Sequence, residues 1–179
     1  MEDPSVILTM SRARSFFVSA LCMLGLLFGA ACAAEGPQSD ATDAADLNRI
    51  FPRSTLQIAT PDARLHPFNV WVADDEPRRN RGLMFIKQLS AADGMLFIYP
   101  SPQLVGVWMK NTYVPLDILF VAANGKVAHV VENTQPLSLQ TISSGEPVLG
   151  FVELRAGSAA RLKIKRGAQV IHPAFSQAP

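Results

Sequence analysis

The sequence predicts a mainly β fold with short helices, an α+β arrangement closed into a compact, barrel-like single domain. Three observations lead there. Beyond residue 50 the apolar residues come in short runs rich in Val, Ile, Leu and Phe, either alternating or unbroken, and no long stretch repeats every three to four residues. Gly, Pro, Asn and Asp interrupt these runs at short intervals. With 49% hydrophobic residues, a chain of 179 can bury one substantial core but not several.

The elements follow in order. Residues 55–59 and 68–73 read as short strands joined by a loop holding Pro61, Asp62 and Pro67. Asp74-Asp75-Glu76-Pro77 starts a short helix: the acids suit its first turn, and Pro has no N–H to lose there. This helix carries Arg78, Arg79 and Arg81 and stops at Gly82. Ser90-Ala91-Ala92-Asp93 is a capped turn, and Gly94 leads into a strand over 95–99 that Pro100-Ser101-Pro102 should break. Strands over 105–109 and 116–122 come next, and Asn124-Gly125 predicts a two-residue hairpin into 126–131. Residues 133–146 are polar and aperiodic, as in a binding or lid loop or in a simply irregular connection. A strand over 147–154, a short helix beginning at Ser158 and a strand over 168–171 complete the domain.

The N-terminal part belongs to a different class. Arg12 and Arg14 precede an apolar run over 16–31 that ends in Ala31-Cys32-Ala33, the pattern of a secretory signal peptide over residues 1–33, with Met10 as an alternative start. An uncleaved anchor is the competing reading, and lipidation at Cys32 is disfavoured by Gly29-Ala30-Ala31. Export places the domain in the periplasm or outside the cell. Both cysteines, Cys22 and Cys32, lie in this segment, so a cleaved domain has no disulfide and no thiolate chemistry. Residues 34–49, rich in Ala, Asp and Ser, read as a flexible linker. The domain then spans 50–175, with a tail over 176–179.

Charge excludes little. From residue 50 onward, 13 Lys and Arg stand against 9 Asp and Glu, too mild an excess for a nucleic-acid surface. Arg161, Lys163, Lys165 and Arg166 alternate with Leu162 and Ile164, as the wet face of a half-buried element does.

The polar residues inside apolar strands carry more information. In 116–121, Leu116, Ile118 and Phe120 share one face, with Asp117, Leu119 and Val121 on the other. In 148–154, Leu149, Phe151 and Glu153 share a face opposite Val148, Val152 and Leu154. Carboxylates so placed must be hydrogen-bonded, paired or neutral. Arg81 and Lys110 are the nearest cations in the motif blocks, and the planar fork of Arg81 makes it the expected partner of Asp117. Either these groups form a buried strut with Asn111 closing a turn, or Arg81, Lys110 and Asn111 line a cleft while Asp117 orients Arg81. Trp108 and Lys110 share a face and could form a ring platform with a charge handle. The plainer expectation is a core Trp108 with Lys110 reaching outward.

Arg81-Gly82-Leu83-Met84, Gly94-Met95-Leu96-Phe97, Trp108-Met109-Lys110-Asn111-Thr112, Pro115-Leu116-Asp117-Ile118 and Phe151-Val152-Glu153-Leu154-Arg155-Ala156-Gly157 stand in this order. As a set they resemble the domain-of-unknown-function family 192, over residues 56–171. The resemblance implies a small, mostly β barrel-type fold and no particular activity. It also implies an acidic residue after Gly167, where this chain has Ala168.

Familiar catalytic signatures are missing: no Gly-x-Ser-x-Gly, no His-Glu-x-x-His and no Gly-rich phosphate loop. His66, His129 and His172 lack ligand spacing, and Met84, Met95 and Met109 are expected to fill core gaps rather than hold Cu(I). No cofactor or metal is therefore expected. The leading expectation is a monomeric envelope binding or accessory module whose cleft, built from Arg81, Trp108, Lys110, Asn111, Asp117 and Glu153, takes a small polar ligand or an envelope peptide. The alternatives are a hydrolase of envelope material using Asp117 and Glu153 as acid and base, and a purely structural interaction domain.

Overall fold

The computed structural model describes residues 38–176; the expected signal segment and the end of the tail lie outside the described residues. The first described element is a helix, α1 (Gln38–Ile50), which corrects the expected flexible linker over 34–49 from residue 38 onward. Composition misleads here because few large apolar residues mark the segment, yet these fix it. Leu47 and Phe51 are buried in the core, and Asn48 Oδ1 accepts from Trp71 Nε1 at 2.8 Å. Asp43 Oδ2 accepts from the backbone N–H groups of Lys87 and Gln88 at 2.7 and 3.0 Å. A segment rich in Ala and Asp becomes helical once one face is docked.

The domain is mainly β, with three short helices and a curled seven-stranded sheet. Its strands are β1 (Arg53–Ala59), β2 (Leu65–Ala73), β3 (Asp93–Gln103), β5 (Leu116–Val121), β6 (Val127–Val131), β8 (Val148–Arg155) and β9 (Gln169–Ile171), in the order β6-β5-β8-β3-β2-β1-β9. Among the described residues only β2 and β3 pair in parallel, and the crossover between them carries α2 (Glu76–Arg81). The ends of the sheet meet: Lys126 and Gln169 form a bridge, Val127 N–H donates to Ala168 O at 2.8 Å, and Gly167 N–H to Val127 O at 2.8 Å. A separate pair joins β4 (Gly106–Val107) to β7 (Ile142–Ser143).

The α2 expectations hold. Asp75 caps the N-terminus by accepting from Arg78 N–H at 2.8 Å, Pro77 lies in the first turn, and Gly82 ends the helix at φ 46°. Elsewhere the boundaries move. Strand β3 runs through Pro100-Ser101-Pro102, but its pairing with β8 lapses between Ile98 and Gln103, where no ladder donor is needed. The strand expected over 105–109 shrinks to β4, because the chain turns at Lys110–Asn111. The hairpin loop has three residues, Ala123–Asn124–Gly125, rather than two: Ala122 N–H donates to Lys126 O and Gly125 N–H to Ala122 O, both at 2.9 Å. Only Gly125 needs positive φ (78°). The irregular stretch after β6 is tied down by buried Thr134, whose backbone and side chain both bond to Leu116.

Each face of the sheet packs on its own core. One holds Trp71, Met95, Phe97, Ile118, Phe120 and Phe151 under α1, the loop after α2 and the β4 segment. The other holds Leu56, Val70, Leu96, Leu119, Val152 and Leu154, closed by α3 (Ser158–Leu162) and Phe175. All six residues of β5 are buried. In β8 the alternation slips: Val148 and Phe151 pack in the first core and Leu149 against the second, so Leu149 and Phe151 do not share a face as expected. The basic residues 161, 163, 165 and 166 are exposed around buried Ile164. Ala168 is buried in the second core, where an acidic side chain would be desolvated.

Because Leu47 is the main apolar contact of α1, Leu47→Ala should cost roughly 2–5 kcal/mol in chemical denaturation. A solvated tether would lose nothing.

Candidate functional site

Glu153 lies on the middle of β8 facing the first core, between Met95 of β3 and Ile118 of β5. It is 5% exposed, and among the described residues no donor or cation bonds its carboxyl. Burial pushes its carboxyl up to about 8, so it is mostly protonated at neutral pH. It lines a cavity of about 680 Å³.

The sheet supplies Phe97, Tyr99 and Gln103 from β3 and Phe151 from β8; the Phe97 and Phe151 rings stack at 4.1 Å. A second wall comes from α2 and its exit, with Glu76, Arg79, Asn80, Arg81, Gly82 and Met84. Gly82 brings the helix end down on the sheet: a Cβ there would sit 3.2 Å from Phe97 Cζ. The third wall is the segment after β4, with Trp108, Lys110, Asn111 and Thr112. The two outer walls are linked, since Phe85 N–H donates to Asn111 O at 2.8 Å. Asn111 takes φ 56° in a turn closed by Thr112 N–H donating to Met109 O at 3.1 Å.

The cations are held without being neutralised. Arg79 Nη1 donates to Ile98 O at 2.9 Å, with its guanidinium 5.1 Å from the Tyr99 ring centre. Arg81 Nη1 donates to Gly82 O at 3.1 Å and to Met84 O, with its guanidinium 5.2 Å from the Phe85 ring centre. Burial lowers the Arg81 pKa, opposed by Asp46. Lys110 Nζ lies 5.4 Å from the centre of the Trp108 ring. Among the described residues none of the three forms an ion pair. The Tyr99 phenol is raised by burial, against Arg79 and with Glu153. Trp108 is 52% exposed, which corrects the expected core aromatic: the chain turns away from the sheet right after it.

Arg81, Trp108, Lys110, Asn111 and Glu153 therefore surround one cavity, and Asp117 does not. Asp117 pairs with Leu154 across the sheet, placing it on the face opposite Glu153. Fully buried, it accepts from Asn133 N–H at 2.9 Å and from Ala159 N–H, in the first turn of α3, at 2.8 Å. The expected Arg81–Asp117 pair is absent because backbone donors satisfy both carboxylate oxygens. Opposite faces also rule out a shared substrate for Asp117 and Glu153, which removes the acid–base pair of the hydrolase reading.

Arg79, Tyr99, Gln103 and Thr112 line the cavity without having been singled out from sequence. The Arg-rich turn of α2 was the available clue. Met109 and Met95 are fully buried in the core, with Met109 Sδ accepting from Thr134 at 3.3 Å, while Met84 Sδ lies 4.0 Å from Asn111 Nδ2. Among the described residues no group of three His, Cys, Asp or Glu is placed to hold a metal ion. His172 bonds Ser54, and His129 is exposed and stacked on Phe120.

Two outcomes follow. Asp117→Ala should destabilise the domain by roughly 2–3 kcal/mol in urea unfolding, by stranding the buried N–H of Ala159 and the part-buried N–H of Asn133. Between pH 4.5 and about 8 the folded state keeps a proton on Glu153 that the unfolded state has lost. Its contribution to stability is thus complete below pH 4.5, falls as pH rises through that window and flattens above about 8. Melting curves across this range should show the fall in the native protein and lose that component in Glu153→Gln.

Comparison with known proteins agrees on the fold. The model of the domain-of-unknown-function family 192 (DUF192, "Uncharacterized ACR") matches residues 57–172. A "putative transcription regulator" from Sinorhizobium meliloti 1021 is similar at 36% identity and TM-score 0.68, covering 69% of this chain and 96% of its own. A protein of unknown function from Novosphingobium aromaticivorans DSM 12444 is similar at 31% identity and TM-score 0.65, covering 67% and 85%. No curated protein matches. With residues 57–172 matched by the family model, the chain belongs to the domain-of-unknown-function family 192.

Proposed function

We propose that the protein is an exported, monomeric binding module of the cell envelope whose cavity takes a small anionic ligand. One observation carries this reading: Arg79, Arg81 and Lys110 meet at a single cavity with donors to spare and no ion pair among the described residues, with Glu76 on the cavity wall and Asp46 acting on Arg81 from outside it. Lone cations around a concave site leave an electrostatic vacancy that an anion fills, and guanidinium groups suit carboxylate or phosphate oxygens. Neutral Glu153 at the sheet wall can donate one hydrogen bond to the same ligand, and Asn111 offers an amide. Export rests on the basic and apolar N-terminal sequence, Arg12 and Arg14 before the run 16–31.

Calorimetric titration with glycerol 3-phosphate, glucuronate and an acidic dipeptide tests the reading. At least one should bind, and Lys110→Gln with Arg81→Gln should weaken it by roughly tenfold or more while the domain stays folded by circular dichroism. Failure of all three to bind, or binding indifferent to both substitutions, would remove the cavity as the ligand site.

A further inference from the structure

Next to the cavity the chain exposes a ring of apolar side chains that ordinary folding leaves inside. Six large hydrophobic residues are exposed there: Trp108 lines the cavity, Phe85, Leu104 and Tyr113 each adjoin a lining residue in sequence, and Leu137 and Leu139 lie on the segment hydrogen-bonded to Met109 and Thr112. Among the described residues just three others are exposed elsewhere, Ile50, Leu65 and Ile171. Backbone hydrogen bonds hold the ring together. Leu137 N–H donates to Thr112 O at 3.1 Å, beside Tyr113. Met109 N–H donates to Ser138 O at 3.0 Å, which puts Leu137 and Leu139 on either side of a residue bound next to Trp108. The rings of Phe85 and Tyr113 meet edge to face at 6.3 Å. Leu104 lies between Gln103, which lines the cavity, and Val105, whose carbonyl accepts from Ser144 at 2.9 Å.

Exposed apolar surface gathered at one place marks a binding surface, and its chemistry here is mixed. Trp and Tyr favour the boundary between hydrocarbon and headgroup, and Lys110 keeps its ammonium beside the Trp108 ring. A soluble anion would meet Arg79, Arg81 and Lys110 but leave the ring in water. An uncharged lipid surface would cover the ring but leave the cations without partners. An anionic bilayer satisfies both: its headgroup enters the cavity and its acyl boundary covers the rim.

We propose that this rim is a membrane-docking surface and that the cavity's anionic ligand is the headgroup of an anionic lipid. This rests on the binding reading above and narrows it to one ligand class. The contact is separate from any insertion of the N-terminal apolar run, since it is made by the folded domain.

The protein's two tryptophans supply the test, because Trp71 is 3% exposed and Trp108 52%, and neither lies in the N-terminal run. The full chain is mixed with vesicles of phosphatidylcholine carrying brominated acyl chains, with or without about a quarter phosphatidylglycerol. Bromine quenches only an indole that reaches the acyl boundary. Quenching should appear in the anionic vesicles, be absent or far weaker in the zwitterionic ones, and disappear in Trp108→Phe. Lys110→Gln should raise the amount of phosphatidylglycerol needed for half-quenching by up to about fivefold, and Leu139→Ser should weaken quenching at fixed composition. Both side chains are exposed, and circular dichroism checks that the variants fold. Equal quenching in both vesicle types, or none of Trp108, overturns the proposal and leaves the rim to a protein partner. If glycerol 3-phosphate still binds through Lys110 and Arg81 in that case, the cavity reading survives; if it does not, both fail.

Discussion

A sheet with both faces buried offers no water to an acidic side chain, and this molecule places two carboxylates in such a sheet. On adjacent strands, Asp117 is one residue out of step with the partner of Glu153, and in a pleated sheet one residue reverses the face. The two acids therefore meet the same constraint on opposite sides. Asp117 escapes it by collecting backbone N–H groups from the turn after β6 and the first turn of α3. Glu153 finds no donor among the described residues, gives up its charge near neutral pH and opens onto a cavity. One acid organises the fold and the other belongs to the site.

The rest of the site follows from what leaves that space open. Capped by Asp75 and stopped at Gly82, α2 lands on the Phe97 ring and carries Arg79 and Arg81 to one wall. The turn at Asn111 diverts the chain from strand geometry and lifts Trp108 and Lys110 to another. Unpaired cations, a neutral acid and an exposed indole are costly features for a domain that only needs to fold. Membership of an uncharacterised family accounts for the framework but leaves its use open, and the chemistry must be argued from the cavity.

Much of the framework was legible in the sequence because local patterns dictate it. The start and stop of α2 were written in Asp75, Pro77 and Gly82, and the two-faced burial of β5 in apolar residues on both of its faces. Cavity residues were legible where a polar group interrupts such a run, as at Glu153 and Lys110. Asp117 was seen as buried but given the wrong partner, since one of its donors, Ala159, lies 42 residues away and is a backbone group with no side-chain signature. Helix α1 was missed because a single docked face, centred on Leu47, outweighs a composition that reads as solvated. The exposure of Trp108 depends on where a two-residue strand ends, which the pattern over 105–109 does not encode.

The most direct measurement is a carbon-13 NMR titration of the Glu153 side-chain carboxyl in the folded, ligand-free protein, assigned by its loss in Glu153→Gln. A buried acid without donors should titrate near 8. A midpoint close to the ordinary 4.5 would mean a solvated or well-partnered carboxylate, and would contradict the account of the cavity built around it.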